Sequence, residues 1–171
     1  MSQPNGEALI RVLIVDDYPI VLEGMAALIN RRPDLTVVGE AKDGEEALTL
    51  FRQTQPDITL IDLRMPKMNG VEVISTLRQE SPEARFIVLT TFDGDEDIYR
   101  ALEAGARAYL LKDTPRDELL STIRAVHAGR KHIPAELAAR LTDRMFSPEL
   151  TPRELEVLGQ IVAGKSNREI G

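Results

Sequence analysis

Arg11-Val-Leu-Ile-Val-Asp16-Asp17 and Asp57-Ile-Thr-Leu-Ile-Asp62 are short apolar runs that each end in carboxylates. A third run, Arg85-Phe-Ile-Val-Leu89, ends in Thr90, and a fourth, Ala108-Tyr-Leu-Leu111, ends in Lys112. Runs of this length without polar alternation suit strands buried on both faces of a parallel sheet. In open sheets of that kind, ligands bind beyond the carboxyl ends of the strands. The pattern therefore predicts three carboxylates, one hydroxyl and one ammonium at a single sheet edge.

Working outward, strand-like runs alternate with helix-like segments. Strands are predicted near 10–15, 35–40, 57–61, 85–89 and 108–111, and helices near 18–30, 44–54, 70–79, 94–104 and 115–128. Asp17 followed by Tyr18-Pro19 puts a proline in the first turn of the first helix, where its missing N–H does no harm. Asp43-Gly-Glu-Glu46 and Asn69-Gly-Val-Glu72 both have the spacing of capping boxes. Thr114-Pro115 predicts another proline-first start, with Leu119, Leu120, Ile123 and Val126 recurring at helical spacing behind it. Strict alternation of five strands and five helices predicts an α/β fold, a doubly wound five-stranded parallel sheet.

The bulk properties narrow the classes. The chain has 171 residues, enough for one well-cored domain and a smaller piece. It contains no cysteine, which excludes disulfides and thiolate zinc sites. Its net charge of −7 argues against a broad nucleic-acid surface. His127 and His132 are too few for a metal site and read as surface histidines. No apolar run reaches membrane-spanning length, and the polar start, Met1 to Glu7, is not a signal peptide. A cytoplasmic location and no membrane partner are expected.

Asp16, Asp17 and Asp62 in one site would repel unless a cation were present. Mg²⁺ suits such a cluster, because it prefers oxygen ligands and bridges carboxylates to phosphate. Lys112 meets a phosphate as a point charge, and Thr90 offers a hydroxyl donor. A carboxylate beside Mg²⁺ can itself be the nucleophile, giving an aspartyl-phosphate. Asp62, alone at its strand end, is the natural acceptor. Taken singly, each residue has a bland reading: an acid after a strand is usually a turn former or helix cap. Their joint placement at four strand ends favours the functional one.

These residues carry a resemblance. Val12-Leu-Ile-Val-Asp-Asp17, Asp62-Leu-Arg-Met-Pro66 followed by Asn69-Gly70, Leu89-Thr-Thr-Phe92, and Ala104-Gly-Ala-Arg-Ala-Tyr-Leu-Leu-Lys-Asp113 resemble the receiver domains of two-component response regulators. The pattern is that of the NarL/FixJ family, with its CheY-like, flavodoxin-like receiver and LuxR-type helix-turn-helix. The resemblance implies that Asp62 takes a phosphoryl group from a sensor histidine kinase. It implies Mg²⁺ held by Asp16, Asp17 and Asp62 with the backbone carbonyl of Arg64. Thr90 and Lys112 would bind the phosphoryl oxygens, and Thr90 and Tyr109 would act as the switch. Spacing alone leaves Tyr109 open between that role and an ordinary half-buried strand tyrosine. Many receivers have a cis proline after the lysine, whereas this chain has Asp113. Phosphorylation would shift conformation and favour a homodimer, with the first and fifth helices as plausible faces. Such a protein is not an enzyme on a separate substrate; its chemistry is self-catalysed phosphoryl transfer and dephosphorylation.

The resemblance divides the chain into a flexible tail at 1–8, a receiver at 9–130, and a linker with a short helix at 131–148. Residues 149–171 look like the N-terminal part of a helix-turn-helix domain without its recognition helix. Leu150-Thr-Pro-Arg-Glu-Leu-Glu-Val-Leu158 and Gly164-Lys-Ser-Asn-Arg-Glu-Ile170 carry that reading. DNA is then a partner of the full-length parent but not specifically of these 171 residues. The alternative is a phosphorylation-controlled interaction module that works without DNA. Three other signals mislead. Gly159-Gln-Ile-Val-Ala-Gly-Lys-Ser166 matches a phosphate-loop pattern, but its first glycine lies within a helix pattern. Asp93-Gly-Asp-Glu-Asp97 lacks the glycine and the terminal acid that a calcium loop needs. Asp62-Leu-Arg64 lacks the second acid of a haloacid-dehalogenase-type phosphatase.

Overall fold

The computed structural model describes residues 9–91 and 95–133, with residue 139 standing apart. The tail at 1–8, most of the linker, the helix-turn-helix segment and the phosphate-loop look-alike lie outside the described residues. The elements run β1 (Ile10–Val15), α1 (Pro19–Asn30), β2 (Leu35–Ala41), α2 (Gly44–Thr54), β3 (Ile58–Ile61), α3 (Gly70–Glu80), β4 (Phe86–Thr90), α4 (Asp95–Ala104), β5 (Ala108–Leu111) and α5 (Arg116–His127). All four strand pairings are parallel, and the sheet order is β2-β1-β3-β4-β5. This is the flavodoxin-like order, whose switch point falls between β1 and β3.

Side-chain alternation along each strand builds two cores. Leu13, Val15, Ile61, Phe86, Val88 and Tyr109 face α2, α3 and α4, with Phe51, Leu77 and Tyr99 completing that layer. The Phe51 and Phe86 rings stack there with centroids 6.2 Å apart. Val12, Ile14, Leu60, Ile87 and Leu110 point the other way, onto Leu22 and Ile29 of α1 and Leu119 and Ile123 of α5. The central strands are therefore dry on both sides, which is why their sequences lack a polar alternation.

Local signals place most helix starts within a residue or two of expectation. Asn69 and Glu72 form a complete capping box at α3. At α2 the box is only half made: Asp43 accepts from the Glu46 amide, but Glu46 reaches back to the amide of Lys42 instead of Asp43. Pro19 is the first residue of α1, as expected, behind Tyr18 at the cap, whereas at α5 Pro115 is itself the cap; neither cap makes a side-chain hydrogen bond. Both prolines supply a suitable φ without an acceptor, so the cap there is purely backbone. Among the described residues, no helix is long and apolar enough to cross a membrane.

After α5 the chain turns at Gly129, whose φ is +96°, a conformation that favours glycine. His132 then forms a parallel bridge to Ala108. Its amide donates to the Arg107 carbonyl at 3.0 Å and its carbonyl accepts from the Tyr109 amide at 3.2 Å. Ile133 follows onto the core of the α2–α4 face. The start of the linker thus covers part of the otherwise open edge of β5, where unpaired backbone groups would need another partner. A chain ending at Gly129 is expected to lose protection of the Tyr109 amide, with exchange faster by up to about tenfold. Hydrogen exchange read by NMR checks this.

One ion pair ties distant parts of the fold. Arg124 of α5 grips Asp34, just before β2, through Nε–Oδ2 at 2.8 Å and Nη2–Oδ1 at 3.1 Å. The hydrogen bond from Arg124 holds the Asp34 carboxyl below its ordinary value. A depressed folded-state value means the pair stabilises above the unfolded carboxyl's pKa and is lost as pH falls through the folded one. Both side chains are nearly half exposed, so screening limits the pair to under about 1 kcal/mol. Asp34→Asn is expected to lower stability at neutral pH by that amount and to converge with wild type in acid, as read by urea unfolding across pH.

Candidate phosphoryl-transfer site

The site is built at the carboxyl ends of the strands flanking the switch point. Asp16 and Asp17 follow β1, Asp62 follows β3, Thr90 ends β4 and Lys112 follows β5. Parallel pairing in register brings Val15 beside Ile61 and Thr90 beside Leu111, so residues far apart in sequence emerge together. The carboxylates of Asp16, Asp17 and Asp62 each offer an oxygen, and these oxygens lie within 4.8 Å of one another.

Lys112 bridges two of them. Its Nζ stands 2.6 Å from Asp16 Oδ2 and 3.1 Å from Asp62 Oδ2. Both contacts are ion pairs, and the one to Asp62 is also a hydrogen bond. The remaining oxygens are held by backbone. The Tyr18 amide donates to Asp16 Oδ1 at 2.9 Å, and the Arg64 amide to Asp62 Oδ1 at 3.2 Å. Asp17 Oδ1 is buried and has no hydrogen-bond partner among the described residues.

The electrostatics follow from burial. Asp16 is only 1% exposed. Desolvation raises its carboxyl above the ordinary value, outweighing Lys112 and the Tyr18 amide, which lower it. Burial alone would lower the Lys112 ammonium, but Asp16 and Asp62 together leave it above the ordinary lysine value. Three carboxyl groups face one ammonium, so the cluster is short of positive charge. That shortfall, the close oxygens and the unpartnered Asp17 Oδ1 fit a hard divalent cation such as Mg²⁺.

Thr90 is buried at the end of β4, and its carbonyl accepts from the Lys112 amide at 2.9 Å. Tyr109 is wholly buried in the α2–α4 core rather than half-buried, which leaves the choice between a switch residue and an ordinary strand tyrosine open. Arg64 lies in the β3–α3 loop, and its guanidinium pairs with Asp97 of α4 at 2.9 Å. Beside the carboxylates a cleft of about 680 Å³ is lined by Asp17, Arg64, Met65, Asn69 and Asp97, among others. The acidic run that suggested calcium contributes Asp95 and Asp97 to the start of α4.

Sequence reasoning missed three parts of this site. Tyr18 places its ring 5.5 Å from Lys112 Nζ. Lys67 has a left-handed φ of +70° in the loop beneath the site. Gly70 is required by close approach: a Cβ there would stand 2.5 Å from the Asp62 carbonyl oxygen and 2.8 Å from Leu63 Cα. The Asn-Gly pair at 69–70 marked a cap and part of the receiver resemblance, but the steric demand at Gly70 was not read from it. Gly70→Ala is expected to destabilise by about 2 kcal/mol through overpacking against backbone. Gly24→Ala, on exposed α1 with open space at its Cβ, is expected to stabilise by about 0.5–1 kcal/mol. Urea denaturation of the pair checks both signs.

Comparison with known proteins agrees with the geometry. The response regulator receiver domain family matches residues 12–124. The transcriptional regulatory protein LiaR of Bacillus subtilis (strain 168) is 40% identical over 171 residues, covering 95% of this chain and 81% of LiaR. The nitrate/nitrite response regulator protein NarL of Escherichia coli (strain K12) is 38% identical over 168 residues, covering 93% of this chain and 78% of NarL. The crystal structure of a LuxR-family two-component response regulator from Aurantimonas sp. SI85-9A1 superposes with a TM-score of 0.76 at 38% identity, over 82% of this chain and all of that one. The chain therefore belongs to the response regulator receiver domain family and carries the receiver of a NarL/LuxR-type two-component response regulator.

Proposed function

We propose that Asp62 accepts a phosphoryl group from a phosphohistidine of a sensor histidine kinase, and that this controls transcription. The observation that carries the reading is Lys112 bridging Asp16 and Asp62 inside a cluster of three carboxylates. Asp62 Oδ1 is anchored by the Arg64 amide, which leaves Oδ2 to attack phosphorus. The new O–P bond forms as the P–N bond breaks, and the imidazole leaves and takes up a proton. Lys112 already lies 3.1 Å from Oδ2 and follows the negative charge onto the phosphoryl oxygens. Thr90 supplies a hydroxyl to another of those oxygens.

Asp16, Asp17 and Asp62, joined by the Arg64 carbonyl, would hold Mg²⁺. When bound, it neutralises the carboxylates and the incoming phosphoryl oxygens so that like charges can meet. The unpartnered Asp17 Oδ1 supports that assignment. The protein is a phosphoacceptor in the cytoplasm, and its only catalysis is on itself.

Phosphorylation adds negative charge that draws in Thr90 and Lys112, favouring a different arrangement of the β4–α4 and β5 segments. Tyr109, buried on the same layer as α4, is the second switch residue. The expected readout is a homodimer, with DNA binding a property of the full-length parent and not specifically of these 171 residues. The comparisons are with transcriptional regulators, which favours this over an interaction module acting without DNA.

Intact mass after incubation with Mg²⁺ and a small phosphodonor tests the proposal. The wild type is expected to gain one phosphoryl group, and Asp62→Asn and a Mg²⁺-free sample none. A wild type that gains nothing, or an Asp62→Asn variant that gains as much, would overturn it.

A further inference from the structure

Lys112 is held on three sides, and only two of them are carboxylates. Asp16 Oδ2 and Asp62 Oδ2 lie beneath its ammonium, and the face of the Tyr18 ring lies 5.5 Å from it. Tyr18 is 61% exposed, whereas the Lys112 side chain is 15% exposed. No packing demand accounts for this position. Tyr18 contributes to neither core cluster and makes no side-chain cap for α1. Its backbone is nonetheless fixed, because its amide donates to Asp16 Oδ1 and its carbonyl accepts from the amides of Val21 and Leu22. A rigid helix start thus presents an aromatic face to a cation, within the range at which a ring quadrupole attracts one.

We infer that Tyr18 is a positioning residue for Lys112, holding the ammonium over the site by a cation–π contact during phosphoryl transfer. The inference rests on the function proposed above. Its physical basis is competition for the carboxylates. A divalent ion on Asp16 and Asp62 takes charge that Lys112 otherwise pairs with, weakening two of its three restraints. The ring does not bind Mg²⁺ and keeps its pull on the ammonium. Tyr18 therefore matters most in the loaded site, where Lys112 must reach the phosphoryl oxygens.

The test is the phosphorylation rate with Mg²⁺ and a small phosphodonor, which needs no partner protein and so excludes effects on docking. Tyr18→Leu is expected to slow phosphorylation by about two- to fivefold, the worth of a partly exposed cation–π contact. Tyr18→Phe, which keeps the ring face, is expected to match wild type. Phenylalanines carrying one, two and three fluorines at position 18 preserve the shape while draining the ring face, and the rate is expected to fall stepwise along that series. Mg²⁺ affinity, measured by calorimetry, is expected to stay constant throughout. A Tyr18→Leu rate equal to wild type overturns the inference. So does a fluorinated series with a flat rate, which would make the ring mere bulk, or a loss confined to Mg²⁺ affinity, which would place the effect on Asp16. A wild type that takes no phosphoryl group is a different failure, since it removes the function on which the inference stands.

Discussion

Everything at this site depends on keeping negative charge concentrated at the end of a dry sheet. Asp16 and Asp62 are both almost fully buried, and Asp17 has a buried oxygen with no hydrogen-bond partner among the described residues. Such a cluster is costly unless compensated, because burial disfavours ionised carboxylates and their neighbours repel them. Lys112 supplies part of the compensation, and the amides of Tyr18 and Arg64 supply more. Burial still leaves the Asp16 carboxyl above its ordinary value. A cluster with more carboxylates than ammonium groups fits a hard divalent cation.

The scaffold makes the concentration possible by rigidity. Each charged group is one or two residues beyond a strand whose neighbours are locked in parallel register. The β3–α3 loop has no such register and is held by other means. Gly70 lets its backbone pass within van der Waals contact of Asp62 and Leu63, and the Gly70 amide donates to the Leu63 carbonyl at 3.0 Å. The Arg64–Asp97 pair then links this loop to α4 across the cleft. A charge change at Asp62 would therefore be felt along backbone already tied to α4.

The far side of the sheet is connected as well. β5 carries Lys112 just beyond one end, Tyr109 in its middle, and the returning linker along its open edge. The Tyr109 amide bonds the linker while its ring lies in the core shared with α4. One short strand thus touches the charged site, the aromatic layer and the first residues of the segment that follows α5. This is an economical route for a local charge event to reach the linker, since no element between them need unfold.

Much of this was legible in the sequence. Apolar runs ending in Asp16-Asp17, Asp62, Thr90 and Lys112 disclosed the strands, the parallel sheet and the residues at its carboxyl edge, because strand burial and strand ends are local properties of the chain. The Asn69–Glu72 box was legible for the same reason, since both partners lie within one turn. The caps at Tyr18 and Pro115 were less so, because a backbone-only cap leaves no side-chain signature. What the sequence could not disclose depends on groups brought together by folding. The ring of Tyr18 over Lys112, the clash that reserves position 70 for glycine, the Arg64–Asp97 tie and the return of His132 to β5 join segments from 8 to 94 residues apart. Local pattern determined which residues reach the sheet edge; only tertiary structure decided which of them touch, because contact is set by crossover geometry and loop path rather than by spacing along the chain.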